Sequence, residues 1–145
     1  MSLEHTDIPY LNQLDETTWT AGQPSPEQLD AAKAAGLQSI VNLCPTGECG
    51  WDEQAKVEAL GLPYVQIPVA AASDLSPDNA AALAQAISEL PKPVLVHCAS
   101  SNRVGALFAL KAHLIDEAAP ADALDYGRKA GLKGLEGVIR SMIGA

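Results

Sequence analysis

The sequence is poor in aromatic residues, in basic residues and in cysteine. Aromatics make up 4% of the 145 residues, with a single Phe, so the core has to be built from small aliphatic side chains with close helix packing. Lys and Arg number 9 against 18 Asp and Glu, a formal net charge of −9. That balance argues against nucleic acid and against an acidic membrane surface as partners. It leaves room for a small anion held by a local site, whose field acts at short range. Three cysteines are an odd number and suggest no disulfide framework. No hydrophobic run approaches the length of a membrane span. Met1-Ser2-Leu3-Glu4-His5 has neither the basic start nor the apolar stretch of a secretory leader. A reducing cytoplasm is therefore the expected setting. Neither a repeat nor a low-complexity tract interrupts the chain, and its length predicts one domain over residues 1–145. A chain of this size buries roughly 68–70% of its unfolded surface and needs no staple to fold.

What is present is an alternation of strand and helix patterns, which predicts an α/β fold, a three-layer sandwich around a mainly parallel sheet of four to five strands. Thr18 to Ala21 reads as a first strand. Ser25-Pro26 opens a helix, with Ser25 as N-cap and Pro26 at the first helical position, and Gly36 ends it. Ser39 to Leu43 and Tyr64 to Val69 read as strands, with a helix from Asp52 to Leu60 between them. Ser76-Pro77 repeats the helix-opening device, and Ala80, Leu83, Ala84, Ile87 and Leu90 give that helix an apolar face. Pro93 to Val96 is a short buried strand, and a helical period resumes after Arg103. From Pro120 the chain reads as one or two further helices, broken near Gly131 and Gly134.

The most informative segment is Val96-His97-Cys98-Ala99-Ser100-Ser101-Asn102-Arg103-Val104. It places a cysteine where a strand enters a tight loop and an arginine where the loop enters a helix. Backbone N–H groups in such a loop, together with the helix dipole, hold an anion. The same field favours thiolate over thiol at Cys98, and the thiolate is the nucleophile. Ala99, Ser100, Ser101, Asn102 and Arg103 are thus the candidate anion-binding residues, chiefly through their amides, with hydroxyl or amide side-chain contacts from Ser100, Ser101 and Asn102. A cation at a helix start opposes the dipole, so Arg103 reads as an anion ligand held bidentately. His97 reads as a buried support for the loop rather than as an acid or base. In a parallel sheet, ligands sit beyond the carboxyl ends of the strands. Topology therefore brings Cys44, Glu48 and Asp74 toward the same edge. Asp74, with Asp78 behind it, is the obvious candidate for a general acid, although a loop or helix-start role fits its position better. Cys44 and Cys49 could act as a resolving pair; the better reading is that both are inert, with Cys44 the more interesting by position. No metal or cofactor is called for.

Protein-tyrosine and dual-specificity phosphatases resemble the His-Cys…Arg arrangement but place five residues between Cys and Arg. Here there are four, the loop length of rhodanese-type sulfurtransferases, which carry a persulfide on the cysteine. The order of motifs resembles the beta-lactamase hydrolase-like, phosphatase-like domain family. Thr20-Ala21-Gly22-Gln23-Pro24-Ser25, Ile40 to Glu48 and Pro93 to Arg103 carry the likeness, over roughly residues 18–115. The resemblance implies a dual-specificity-phosphatase-like fold with phosphatase-like or sulfurtransferase chemistry. Three positions depart from the pattern. Cys44 stands where the family usually has Arg. Ser101 stands where its loop commonly has Gly, losing glycine's freedom in the left-handed region. Val104 stands where phosphatases usually carry Ser or Thr, which helps expel the cysteine thiolate.

Two chemistries follow. Cleaving an aryl phosphate expels a phenoxide whose conjugate acid has a pKa of about 10, and a positioned acid is worth about 10²–10⁴ in rate there. Transfer of sulfane sulfur from thiosulfate expels sulfite and needs no acid, only a thiolate, an anion cradle and a second thiol. The sequence therefore predicts a sulfurtransferase cycling through a Cys98 persulfide. Its donor would be a small anion, thiosulfate or a low-molecular-weight persulfide, and its acceptor a low-molecular-weight thiol or cyanide. The alternative is a dual-specificity-type phosphatase using a Cys98 phosphocysteine, Arg103 and Asp74. A non-catalytic anion-binding or protein-binding module is a third class, and it requires Cys98 to be unreactive toward iodoacetamide at mildly acidic pH.

Overall fold

The computed structural model describes residues 3–144. Its sheet has five strands in the order β1-β2-β5-β3-β4. They are β1 (Asn12–Gln13), β2 (Thr18–Ala21), β3 (Ser39–Asn42), β4 (Tyr64–Gln66) and β5 (Val94–His97). β1 runs antiparallel to β2, and every other pairing is parallel. The helices are α1 (Pro26–Ala34), α2 (Glu53–Ala59), α3 (Pro77–Glu89), α4 (Asn102–Leu114), α5 (Pro120–Ala130) and α6 (Glu136–Ile143).

The central strands are buried on both faces, as short apolar strands in a covered parallel sheet must be. Alternation divides their side chains between two cores. Ile40 and Leu95 point with Trp19 and Ala21 toward Leu29 of α1 and Val57 of α2. Val41, Val94 and Val96 point toward the larger cluster under α3 to α6. The result is three layers, and α4 is the hub of the second core. From Val104 to Leu110 every residue of α4 is buried, including the single Phe, Phe108. The ring of Phe108 meets Tyr126 edge-on at 5.9 Å. Close packing replaces aromatic bulk: a Cβ on Gly105 would lie 2.5 Å from Leu132 Cα and 2.7 Å from the Gly127 carbonyl.

The helix starts follow their sequence signals. Ser25 accepts from the Gln28 amide and Gln28 Oε1 accepts from the Ser25 amide, a reciprocal capping box. Ser76 accepts from the Asn79 amide and Asp52 from the Ala55 amide. Two readings change. The strand expected over Tyr64 to Val69 stops at Gln66, level with Asn42, where its one neighbour β3 also ends. The amides of Ile67 and Val69 still bond Asn42 and Leu43 carbonyls, so the chain keeps its direction. The two-residue β1 was not expected and is too short to show a period. Among the described residues no helix is long and apolar enough to cross a membrane.

Candidate active site

The carboxyl ends of β5 and β3 meet at the site. His97 and Asn42 are register partners, and the Leu43 amide donates to the His97 carbonyl at 2.9 Å. Cys98, the next residue after β5, is 1% exposed. The Ala99–Ser101 turn then delivers the chain into α4, whose N-terminus has no side-chain cap. Among the described residues the amides of Ala99 and Ser100 take no protein acceptor. An uncapped 13-residue helix behind unbonded loop amides is a receptor for negative charge.

Ser101 corrects one expectation. It adopts the left-handed conformation anyway, at φ 67°. Its hydroxyl donates to the Ala130 carbonyl at 2.7 Å, and it packs on Gly131, where any Cβ would collide with it. That contact offsets the cost of a non-glycine residue in this region. It also turns the Ser101 hydroxyl away from the loop. Asn102 is turned away too, its Oδ1 accepting from the Lys133 and Leu135 amides. Side-chain anion contacts expected from Ser101 and Asn102 are therefore not made, because both groups brace the α5–α6 connection. Their backbone positions, with those of Ala99 and Ser100, remain in the loop.

Three hydrogen bonds to oxygen and a longer one to sulfur fix Arg103. Nη1 donates to Glu48 Oε1 at 2.9 Å and to the Val69 carbonyl at 2.9 Å, and Nη2 donates to Glu48 Oε2 at 2.6 Å. Nε and the second N–H of Nη2, which meets only the Cys44 sulfur at 3.8 Å, form the edge left for an anion. Hydrogen bonding from Arg103 holds the Glu48 carboxyl below its usual range, against an opposing effect of burial. The Glu48 hydrogen bond in turn raises Arg103. Cys44 belongs to this cluster, its Sγ 3.8 Å from Arg103 Nη2. Burial, reinforced by a hydrogen bond to Glu48, pushes the Cys44 thiol up, with Arg103 opposing. Cys49 lies apart, with Sγ 3.2 Å from the Trp51 carbonyl, in a groove of about 600 Å³ lined also by Pro45, Thr46, Tyr64 and Gln66.

His97 is fully buried, and its Nε2 lies 2.5 Å from Glu53 Oε2. Asp74 sits in a short 3-10 turn, and its Oδ2 accepts from the Ala70 and Ala71 amides at 2.8 and 3.3 Å. Asp78 is exposed in the first turn of α3. The topological argument placed Cys44 and Glu48 at the site but assigned neither a partner. It missed Glu53, a charged residue at the first position of α2 that is 3% exposed. No sequence signal separates it from an ordinary acidic first-turn residue.

Comparison with known proteins agrees with this geometry. The family described as beta-lactamase hydrolase-like protein, phosphatase-like domain matches residues 11–115. A beta-lactamase hydrolase-like protein of Xylella fastidiosa strain Temecula1 is 35% identical over 102 residues, 67% of this chain. The match spans 23% of that relative's length. Solved structures share the fold. One, from Neisseria meningitidis and described as a candidate phosphatase, superposes with a TM-score of 0.74 at 20% identity, covering 91% of this chain and 97% of its own. Another so described, from Shewanella putrefaciens, gives 0.68 at 24% identity over 99% and 98%. The core catalytic domain of a PP-IP phosphatase from S. cerevisiae gives 0.65 at 16% identity over 94% and 86%. The α/β fold is that of the protein-tyrosine and dual-specificity phosphatases.

Proposed function

The chain belongs to the beta-lactamase hydrolase-like, phosphatase-like domain family, and on that scaffold we propose that it is a sulfurtransferase working through a persulfide on Cys98. The observation that carries this reading is the state of the carboxylates on the segments around the site. Glu48 is bonded to Arg103, Glu53 to His97, and Asp74 to two amides of its own loop. Both oxygens of Glu48 and of Glu53 are engaged, and Asp74 is held through Oδ2 by amides of its own loop, so no carboxylate here stands free of a structural role and ready to protonate a departing oxygen. Phosphoester cleavage needs that proton; sulfane transfer does not.

In the proposed cycle the sulfonate of thiosulfate lies against the loop amides and the Nε–Nη2 edge of Arg103. The Cys98 thiolate attacks the outer sulfur, the S–S bond breaks, and sulfite leaves with the electron pair. A low-molecular-weight thiolate then attacks the outer sulfur of the Cys98 persulfide. The acceptor becomes a persulfide and Cys98 returns as thiolate. Val104 is consistent with this cycle, since no hydroxyl is required to expel the Cys98 thiolate.

The second reading is a phosphatase of the dual-specificity type, with Cys98 forming a phosphocysteine and Arg103 binding phosphoryl oxygens. The family's description and those of the structural relatives favour it. So does the place of Asp74, whose loop follows Val69, a direct partner of Arg103. Relatives below 25% identity share the scaffold, and a shared scaffold hosts more than one chemistry. Turnover measured side by side on thiosulfate with a thiol and on an aryl phosphate decides. Sulfur transfer abolished by Cys98→Ser, with negligible phosphate release, supports the first reading. Aryl phosphate turnover lost in both Cys98→Ser and Asp74→Asn, without sulfur transfer, replaces it with the second.

A further inference from the structure

The carbonyls of His97, Ala99 and Ser101, around the nucleophile, are each held by a backbone amide. The His97 carbonyl accepts from the Leu43 amide, the Ala99 carbonyl from the Gln23 amide at 3.1 Å, and the Ser101 carbonyl from the Gly105 amide. Gly22 makes the Gln23 contact feasible, because a Cβ there would stand 2.5 Å from the Ala99 carbonyl oxygen. The Cys98 carbonyl alone has a side-chain partner, His97 Nδ1 at 3.3 Å. This peptide matters most. Were it to flip, its carbonyl oxygen would point into the anion cradle and the Ala99 N–H would leave it.

His97 can hold that carbonyl only if Nδ1 carries a proton. Its Nε2 faces Glu53 Oε2 at 2.5 Å, so both ring nitrogens face acceptors. A neutral imidazole has one N–H, and left alone it could place that proton on either nitrogen. Two acceptors are satisfied together when one proton sits on Nδ1 and a second lies between Nε2 and Oε2. Glu53 is itself held, its Oε1 accepting from Gln23 Nε2 at 2.7 Å. The Gly22-Gln23 pair thus secures both the Ala99 carbonyl and the carboxylate that fixes His97.

We propose that Glu53, acting through His97, is the positioning residue that holds the Cys98 peptide in its working orientation and so sets the reactivity of Cys98. It rests on Cys98 being the nucleophile and applies equally to sulfur or phosphoryl transfer. Partners that orient metal-ligating histidines carry about 10–100-fold in activity, and the same scale is expected where a histidine orients a peptide.

The test is the rate of Cys98 alkylation by iodoacetamide, mapped by mass spectrometry on the full chain across pH, with near-UV circular dichroism to confirm folding. Glu53→Ala should slow Cys98 about 10–100-fold. Glu53→Gln, whose amide can donate to Nε2 and keep the proton on Nδ1, should retain most of the rate. His97→Asn puts a fixed donor where Nδ1 stood and should react faster than His97→Gln. In that background Glu53→Ala should cost nothing further, an outcome that a merely structural role would not give. His97→Gln, with a donor only at the Nε2 end, should be slow. The inference is overturned if folded Glu53→Ala matches wild type, or if its cost is the same in the His97→Asn background. Should Glu53→Ala not fold, a His97→Gln rate equal to wild type overturns it. Alkylation needs no sulfur donor. Equal rates in all variants therefore sink this inference alone, whereas a wild-type Cys98 that does not alkylate sinks the proposed function with it.

Discussion

Replacing Arg103 with Lys keeps the charge and removes the fork, so it isolates what the guanidinium geometry contributes. Arg103 has five N–H groups. Three are spent on Glu48 and Val69, a fourth meets only the Cys44 sulfur at 3.8 Å, and the Nε–Nη2 edge can therefore offer two to the oxygens of a substrate. A Lys ammonium has three in all, and the same protein acceptors claim them. The anion then loses two charge-assisted hydrogen bonds of about 1.5 kcal/mol each, or about 3 kcal/mol. That corresponds to a Kd for a bound oxyanion weaker on the order of 100-fold. Protection of Cys98 against iodoacetamide by sulfate or thiosulfate reads the affinity directly. The protection midpoint should rise by about that factor in Arg103→Lys, while the thermal midpoint moves little because the Lys still pairs with Glu48. An Arg103→Lys protein protected at wild-type concentrations would mean that the guanidinium edge does not hold the anion, and the cradle mechanism would be wrong.

Asp74→Ala removes the acceptor of the Ala70 and Ala71 amides. It should cost about 1 kcal/mol in a denaturant melt and leave sulfur transfer unchanged, whereas a fall of about 10²–10⁴ in aryl phosphate turnover would identify Asp74 as an acid. Glu48 is held ionised by Arg103, below its usual range, so its contribution to stability is complete above the unfolded value of about 4.3. It is lost as pH falls through the lower folded value. Denaturant midpoints between about pH 5 and pH 3 should therefore fall less steeply in Glu48→Gln than in wild type, and parallel curves would refute the assignment. Gly105→Ala forces a methyl against the Leu132 backbone. An overpacking cost of about 2 kcal/mol predicts a thermal midpoint lower by roughly 4–8 °C, measurable by calorimetry.

Much of this was legible because local signals agreed with the global fold. Ser25-Pro26 and Ser76-Pro77 announced α1 and α3, and the Cys98…Arg103 spacing announced the loop. Knowing that ligands gather at the carboxyl edge of parallel strands was enough to bring Cys44 and Glu48 to Arg103 across the chain. What stayed hidden depended on contacts between distant segments. The left-handed turn at Ser101 is held by Ala130 and Gly131, which no local propensity encodes. The side chain of Asn102 is claimed by the α5–α6 connection rather than by the loop. Glu53 is an unremarkable first-turn acid until the sheet brings His97 against it.

The central claim, that Cys98 carries sulfane sulfur, is tested most directly by intact-protein and peptide mass spectrometry after incubation with thiosulfate and no acceptor. The account predicts one added sulfur atom on Cys98, sensitive to cyanide with release of thiocyanate, and absent from Cys98→Ser. No adduct at Cys98 and no thiocyanate, from a protein whose Cys98 still alkylates, would contradict it.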